Sequence, residues 1–315
     1  MSSPATTPSL LEQLSSDLAD ATASAARSVV AVHARRRIPA SGILWRPGVV
    51  VATHHTIHKD EDIAVTLPDG SRGRGAVAGR DPSTDLCIVR LEGDAETPGG
   101  ATPATLARDP LRVGQLVLAV GRPGTEVTAA LGAVSAVGPA WRTWQGGQID
   151  RFVRLDVAVY DGFSGGPLVD GGGRVAGVNT SALARSGALT IPVATVDRVV
   201  DHLLAGGRTR RGWFGIGAHA VRLPDAVRRE LAAAGREQSQ ALMLVAIEPG
   251  SPADRAGLIL GDILLTLADA PTEDVTDVLS ALGPESVGTT VPAQVLRGGE
   301  RRIVMITVDE HPGRR

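Results

Sequence analysis

Between Ser28 and Val193 the apolar residues fall into short, β-branched runs separated by Gly, Pro and Asp. Such runs cover residues 29–32, 49–52, 63–67, 115–120, 152–157 and 174–178. β-Branched side chains are stiff at χ1 and pack well on a pleated surface. Short strands at regular spacing, punctuated by turn residues, predict a mainly β architecture. The runs form two similar sets, before and after about Asp109, which fits two barrels with a cleft between them.

Helical spacing appears at the flanks of this region. Ser9-Leu10-Leu11-Glu12 fits a capping box, and Leu10, Leu11, Leu14 and Leu18 recur on one helical face. An amphipathic helix is therefore expected up to about Ala25, behind a polar tail from Met1 to Pro8. Its leucine stripe is expected to dock on the rest of the chain, with docking on another subunit as the alternative. Val196, Val199, Val200 and Leu203 share a face in a second helix over 193–204, which stops at Gly206-Gly207. The basic, glycine-containing stretch 205–212 reads as a linker, which makes 26–204 one unit and 213–310 another.

In this last unit Ser251-Pro252-Ala253-Asp254 opens a short helix, with proline at its first position and an acidic residue to cap it. Gly261-Asp262 turns into a strand over 263–267, and 274–282 is a second helix. Strands over 291–296 and 303–308 form a hairpin across Arg297-Gly298-Gly299-Glu300.

Composition changes this picture little. The chain has 315 residues, 43% hydrophobic and 21% charged, as an ordinary globular protein of two or three folding units does. Aromatics make up only 3%, so the cores are built from Val, Leu, Ile and Ala. A net charge of −2 argues against a nucleic-acid partner. Cys87 is the sole cysteine, which excludes an intrachain disulfide, and its apolar run marks it as a small buried hydrophobe. The N-terminus lacks a basic and apolar leader, and no apolar run is long enough to span a membrane. On these grounds the expected location is the cytoplasm.

The candidate chemistry lies in Gly162-Phe163-Ser164-Gly165-Gly166-Pro167. A serine among glycines sits on an uncrowded backbone whose N–H groups can face a developing oxyanion. A serine hydroxyl needs a base to take its proton as it attacks. Histidine suits that task, and a carboxylate on its other ring nitrogen sets the tautomer. A histidine cluster (His54, His55, His58) follows the apolar run 49–52, and Asp85 opens another, Leu86-Cys87-Ile88-Val89. Zinc is a rival use of the three histidines, but the segment lacks a His-Glu-x-x-His arrangement, so no metal is expected. Gly162-x-Ser164-x-Gly166 also matches the nucleophile elbow of α/β-hydrolases. That elbow needs a helix directly after the serine, which Gly165-Gly166-Pro167 opposes, and a chain order with serine first.

At these residues the chain resembles the HtrA (Deg) family of trypsin-like serine proteases. Gly48-Val49-Val50-Val51-Ala52-Thr53-His54-His55 resembles the strand leading to that family's catalytic histidine. Gly79-Arg80-Asp81-Pro82-Ser83-Thr84-Asp85-Leu86 resembles its aspartate motif, and Val65-Thr66-Leu67-Pro68-Asp69-Gly70 its intervening hairpin. Leu131-Gly132-Ala133-Val134 and Val178-Asn179-Thr180 fit as well. The resemblance covers roughly residues 25–308. It implies two six-stranded antiparallel β-barrels, as in chymotrypsin, followed by a PDZ domain.

The resemblance further implies a triad of His55, Asp85 and Ser164, because counting from Gly48 selects His55 among the three histidines. It implies an oxyanion hole in the turn Gly162, Phe163 and Ser164, with Gly162 and Ser164 as the N–H donors. Ala158, Val178, Asn179 and Thr180 would wall a pocket for small aliphatic side chains. Trp213, Phe214, Gly215 and Ile216 resemble the carboxylate loop of a PDZ domain, with Val278 and Leu282 lining its pocket. No cofactor is implied. The implied partners are unfolded polypeptides and protein C-termini. Family trimers use aromatic residues near the N-terminus, and here none precedes Trp45. The family has Asn-Pro-Gly-Asn before the serine where this chain has Tyr160-Asp161-Gly162-Phe163. Losing the proline's fixed φ predicts a looser oxyanion loop. The expected function is endoproteolysis of unfolded or damaged proteins, the alternative being a peptide-binding chaperone or scaffold with little hydrolysis.

Overall fold

The computed structural model describes residues 9–93, 98–143, 145–183, 188–206 and 212–310. The polar tail at 1–8 and most of the expected linker, 207–211, lie outside them. The chain divides into two compact units, 1–143 with 148–208, and 144–147 with 209–315.

In the first unit, helix α1 (Leu10–Ala26) opens with the capping box read from the sequence. Ser9 Oγ accepts the Glu12 N–H at 3.2 Å and Glu12 Oε2 accepts the Ser9 N–H at 2.7 Å. The docking of its leucine stripe on the chain is corrected by the structure. Leu10 and Leu11 are 91% and 75% exposed, and the helix instead packs through Ala21 and Ala25, with Leu18 at the edge. Alanines let the helix axis approach Val29, Leu118, Val120 and Val169 closely, which a full leucine face does not.

Strands β1 (Val29–His33), β2 (Ala40–Arg46), β3 (Val49–Thr53), β4 (Ile63–Thr66), β5 (Arg72–Asp81) and β6 (Leu86–Leu91) close into an antiparallel barrel in the order β1-β2-β3-β6-β5-β4. Strands β7 (Leu116–Gly121) and β8 (Thr128–Gly138) begin a second barrel. A short ribbon follows, of β9 (Trp141–Arg142) and β10 (Gln148–Ile149). The second barrel then closes through β11 (Phe152–Asp156), β12 (Pro167–Asp170), β13 (Val175–Thr180) and β14 (Ala188–Pro192), in the order β11-β14-β13-β12-β7-β8.

Alternate residues of β3 explain its uninterrupted apolar run. Val50 and Ala52 point into the first barrel, with Val30, Val32, Leu44 and Val89. Val49 and Val51 point outward into a second core shared with Val178 and Ile191 of the other barrel. A strand covered on both faces has no solvent side and so shows no polar alternation. Helix α2 (Val193–Leu204) closes the shared core with Val193, Val196, Val199, Val200 and Leu203. Cys87 is buried in the first barrel, and burial pushes its thiol up to about 12. It is a packing residue and no nucleophile.

The second unit carries β15 (Gly212–Trp213) and a sheet ordered β16-β17-β18-β20-β21. These strands are β16 (Ile216–Arg222), β17 (Gln240–Ile247), β18 (Ile263–Leu267), β20 (Thr290–Arg297) and β21 (Glu300–Thr307). Short β19 (Ala270–Pro271) joins β18, and β22 (Asp309–Glu310) pairs with β15. The hairpin turn falls where the sequence placed it, with Arg297 opposite Glu300 and both intervening glycines at positive φ. Helix α3 (Asp225–Ala233) was not foreseen, whereas α4 (Pro252–Arg255) and α5 (Val275–Ala281) form where helices were expected, capped by Ser251 and Asp274.

Asp262 is a fully buried carboxylate in this unit, paired with Arg297 at 2.7 Å. Burial pushes its carboxyl up, but the Arg297 guanidinium and the Ile259 N–H together outweigh this and hold it below the ordinary carboxylate value. A lowered folded pKa stabilises the fold above the unfolded pKa and is lost as pH falls through the folded one. Asp262→Asn is expected to destabilise the chain at pH 7 by about 3 kcal/mol, since it strips one partner from a buried pair. The gap between wild type and variant should narrow below about pH 4, the unperturbed carboxylate range. Thermal melts of both proteins from pH 7 to pH 3 measure it, and a gap independent of pH would contradict it.

Candidate active site

The Asp81–Asp85 turn places the acid. The Asp81 carboxylate accepts from the Ser83 N–H at 3.0 Å, the Ser83 hydroxyl at 2.5 Å and the Thr84 hydroxyl at 2.7 Å. This side-chain turn holds Asp85 at φ 59°, a left-handed conformation that aspartate tolerates better than most residues. Asp85 is buried, and its backbone oxygen accepts the His54 N–H at 2.9 Å.

His55 lies in a single 3₁₀ turn directly after β3. Its Nδ1 is 2.8 Å from Asp85 Oδ2 and 3.0 Å from Oδ1, and its backbone N–H donates to Oδ1 at 2.9 Å. The carboxylate can only accept, so Nδ1 carries the hydrogen and Nε2 is left as the basic nitrogen. Thr180 Oγ1 donates to Asp85 Oδ2 at 2.6 Å from the second barrel. The neighbouring histidines point elsewhere. His54 Nδ1 faces Arg80 Nη1 at 3.3 Å, and burial, then the Arg80 cation, lower its pKa. His58 Nε2 faces the His55 carbonyl. The three rings therefore do not converge on one point.

Ser164 is 8% exposed and precedes β12. Its turn depends on glycine at two points. Gly165 has φ 89°, and a Cβ there would lie 2.1 Å from the Ser41 carbonyl oxygen. Gly162 has φ 94°, and a Cβ there would meet Pro123 at 2.6 Å. Within the turn the Phe163 N–H donates to Tyr160 O, the Gly165 N–H to Asn179 O and the Gly166 N–H to Phe163 O. The N–H groups of Gly162 and Ser164 have no acceptor among the described residues. Two orphan donors beside a serine are what an oxyanion requires. Phe163 is corrected in this respect, because its amide is already spent. Its ring, 1% exposed, fills the space beside Gly121, and Tyr160 packs edge-on against it at 5.6 Å. That ring anchors the turn where the family's proline is missing.

Among the described residues Ser164 Oγ shares its hydrogen bond with Ser181 Oγ, at 3.2 Å, and not with His55. The expected pocket wall also changes. Val178 lies in the shared core. The Asn179 side chain is fully buried, its Nδ2 donating to Pro167 O and its Oδ1 accepting from Thr190. Thr180 is committed to Asp85. These three side chains build the scaffold, while Ala158 is exposed on the segment before the turn. The roles of Thr180 and Ser181 escaped the sequence reading.

In the second unit, Trp213, Phe214, Gly215, Ile216, Val278 and Leu282 line one cavity of about 270 Å³, joined by Leu242, Val275 and Leu279. The N–H groups of Phe214 and Gly215 have no backbone acceptor among the described residues. Gly215 has φ 73°, and a Cβ there would strike Ser251 at 2.3 Å.

Two six-stranded barrels, a His–Asp pair on one and a serine in a glycine turn on the other, define the trypsin-like serine protease class. A family model for a trypsin-like peptidase domain matches residues 40–178, and one for a PDZ domain matches 229–308. The probable periplasmic serine endoprotease DegP-like of Halomonas elongata is 32% identical over 287 residues, covering 88% of this chain and 57% of that protein. The putative serine protease HhoB of Synechocystis is 30% identical over 282 residues, covering 86% and 66%. Among solved structures, the serine endoprotease from Yersinia pestis has a TM-score of 0.67 at 26% identity, covering 97% of this chain and all of that one. The HtrA-type protease AlgW with tripeptide has a TM-score of 0.66 at 25% identity, covering 94% and 98%. The chain belongs to the HtrA family of serine proteases, a trypsin-like domain followed by a PDZ domain. It spans little more than half the length of the DegP-like relatives it matches. Those relatives are named periplasmic, which overturns the expected cytoplasmic location.

Proposed function

We propose that the chain is an exported serine endopeptidase acting on unfolded or damaged polypeptides, with Ser164 as nucleophile, His55 as base and Asp85 as its orienting carboxylate. The observations that support this reading are the His55–Asp85 pair, tied by Thr180 to the second barrel, and a serine of that barrel whose turn leaves two N–H groups unengaged. On substrate binding the Ser164 hydroxyl leaves Ser181 and turns to His55 Nε2, a bond that is often absent without substrate. Oγ attacks the scissile carbonyl as its proton passes to Nε2. The oxyanion is held by the Gly162 and Ser164 N–H groups. The imidazolium then protonates the leaving amine, and water cleaves the acyl-enzyme by the reverse proton path. Labelling with a fluorophosphonate and mapping of the adduct tests this. Modification of Ser164 is expected; no adduct, or one elsewhere, would refute the assignment.

The C-terminal domain is proposed to capture peptide C-termini by strand addition, with the Phe214 and Gly215 N–H groups facing the carboxylate and an apolar last side chain against Val278 and Leu282. The full chain carrying Ser164→Ala is expected to bind peptides with apolar C-termini at micromolar Kd, about −8 kcal/mol. C-terminal amidation should weaken binding at least tenfold, measured by calorimetry. Equal affinity of acid and amide would exclude carboxylate capture.

A further inference from the structure

The oxyanion turn is held from outside by a residue that touches neither substrate nor nucleophile. Ser41 lies on β2, is fully buried, and stands 121 residues from Gly162. Its Oγ accepts the Arg122 backbone N–H at 2.8 Å. That bond fixes the direction of the hydroxyl, whose hydrogen goes to the Gly162 carbonyl at 2.5 Å. The Ser41 backbone N–H donates to the same carbonyl at 3.0 Å. Both lone pairs of the Gly162 oxygen are thereby occupied. At the other end of this peptide plane, the Phe163 N–H is held by Tyr160 O at 3.0 Å.

Peptide planes are rigid and rotate only about φ and ψ. The plane from Gly162 to Phe163 is clamped at its carbonyl and its N–H. The plane that carries the Gly162 N–H has no such clamp among the described residues and hinges on Gly162 Cα. Glycine permits wide rotation there, so the neighbouring plane is the restraint. Arg122 is itself immobilised, since its Nε donates to Val29 O at 2.8 Å and its Nη1 to Thr125 O. The chain of bonds thus runs from the body of the unit to the proposed oxyanion donor. We infer that Ser41 is a positioning residue for acyl transfer: its hydroxyl, oriented by the Arg122 N–H, sets the Gly162 peptide so that the Gly162 N–H points at the oxyanion. This rests on the assignment of Ser164 as nucleophile and of the Gly162 and Ser164 N–H groups as the hole.

The test is Ser41→Ala in the full chain, which deletes one buried oxygen and leaves the backbone bond. Removing an oxyanion donor outright costs about 10²–10³ in kcat, so a donor left in place but loosely aimed should cost about 10–100-fold. KM should change less than about twofold, because ground-state binding does not use the hole. Affinity for a peptidyl boronate, whose tetrahedral adduct occupies the hole, should fall by the same factor as kcat, while affinity for the cleaved product peptide stays constant. A merely structural role would lower the melting temperature and the active fraction without this split. Ser41→Cys, close in volume and a weaker donor, should fall between wild type and Ser41→Ala, and it carries the test if the alanine variant does not fold. Wild-type kcat in either folded variant, or equal losses in boronate and product affinity, would overturn the proposal. Failure of the wild-type chain to form a Ser164 adduct would refute the underlying assignment instead, and the two failures are separately visible.

Discussion

Ser164→Ala and His55→Ala are each expected to abolish cleavage of an unfolded substrate such as casein, with the far-UV spectrum and melting temperature kept. Asp85→Asn should lose about four orders of magnitude, because an amide facing Nδ1 no longer selects the tautomer with a free Nε2. The environment of Asp85 sharpens this. Its carboxylate receives the His55 ring, the His55 N–H and the Thr180 hydroxyl, so replacing one oxygen by an NH₂ group sets donor against donor. His54→Ala serves as the control, since its ring faces Arg80, and it should keep most activity. Rates of casein cleavage decide the matter. Undiminished cleavage by Ser164→Ala would remove the nucleophile assignment, and loss confined to His54→Ala would move the base by one residue.

Phe163→Ala is expected to cost about 3–5 kcal/mol of stability, as deletion of a fully buried aromatic ring does, and to reduce cleavage beyond that loss. The ring is 1% exposed and lies so close to Gly121 that a Cβ there would meet Phe163 Cδ1 at 2.7 Å. With the ring gone the turn keeps only its hydrogen bonds. Tyr160→Ala should cost less than about 1 kcal/mol, because Tyr160 is 64% exposed and contributes an edge contact alone. Urea titrations monitored by circular dichroism give both values. A small effect at Phe163 would show that the turn is held by its backbone and by Ser41, with no need of the ring.

Much of the architecture was legible because it is encoded locally. Runs such as Val49-Val50-Val51-Ala52 have one favourable backbone state, and Gly298-Gly299 admits the positive φ values of a tight hairpin turn. The caps at Ser9, Ser251 and Asp274 are contacts over three residues and can be read directly. Strand β5 was harder. Arg72 to Asp81 is rich in glycine and arginine, and it is a strand because β4 and β6 supply its ladder on either side. Helix α3 was a missed signal, since Val227 and Leu231 at helical spacing amid alanines mark a buried face.

The residue types of the site and their order along the chain are sequence properties, because glycine, serine, histidine and aspartate bring their chemistry wherever they stand. The shape of the Asp85 turn also follows from five consecutive residues, through side-chain bonds from Asp81. What surrounds those groups was decided by closure of the two barrels. Thr180 reaches Asp85 across 95 residues, and Ser41 reaches Gly162 across 121. Val178, Asn179 and Thr180, expected to wall a pocket, turned inward because β13 is buried along its whole length. The exposure of Leu10 and Leu11 depends on which turn of α1 meets the barrel. A short-range bond can be read from spacing, since few conformations satisfy it. A long-range bond exists only after the hydrophobic cores have set where each strand lies, and that placement is written in no single stretch of the chain.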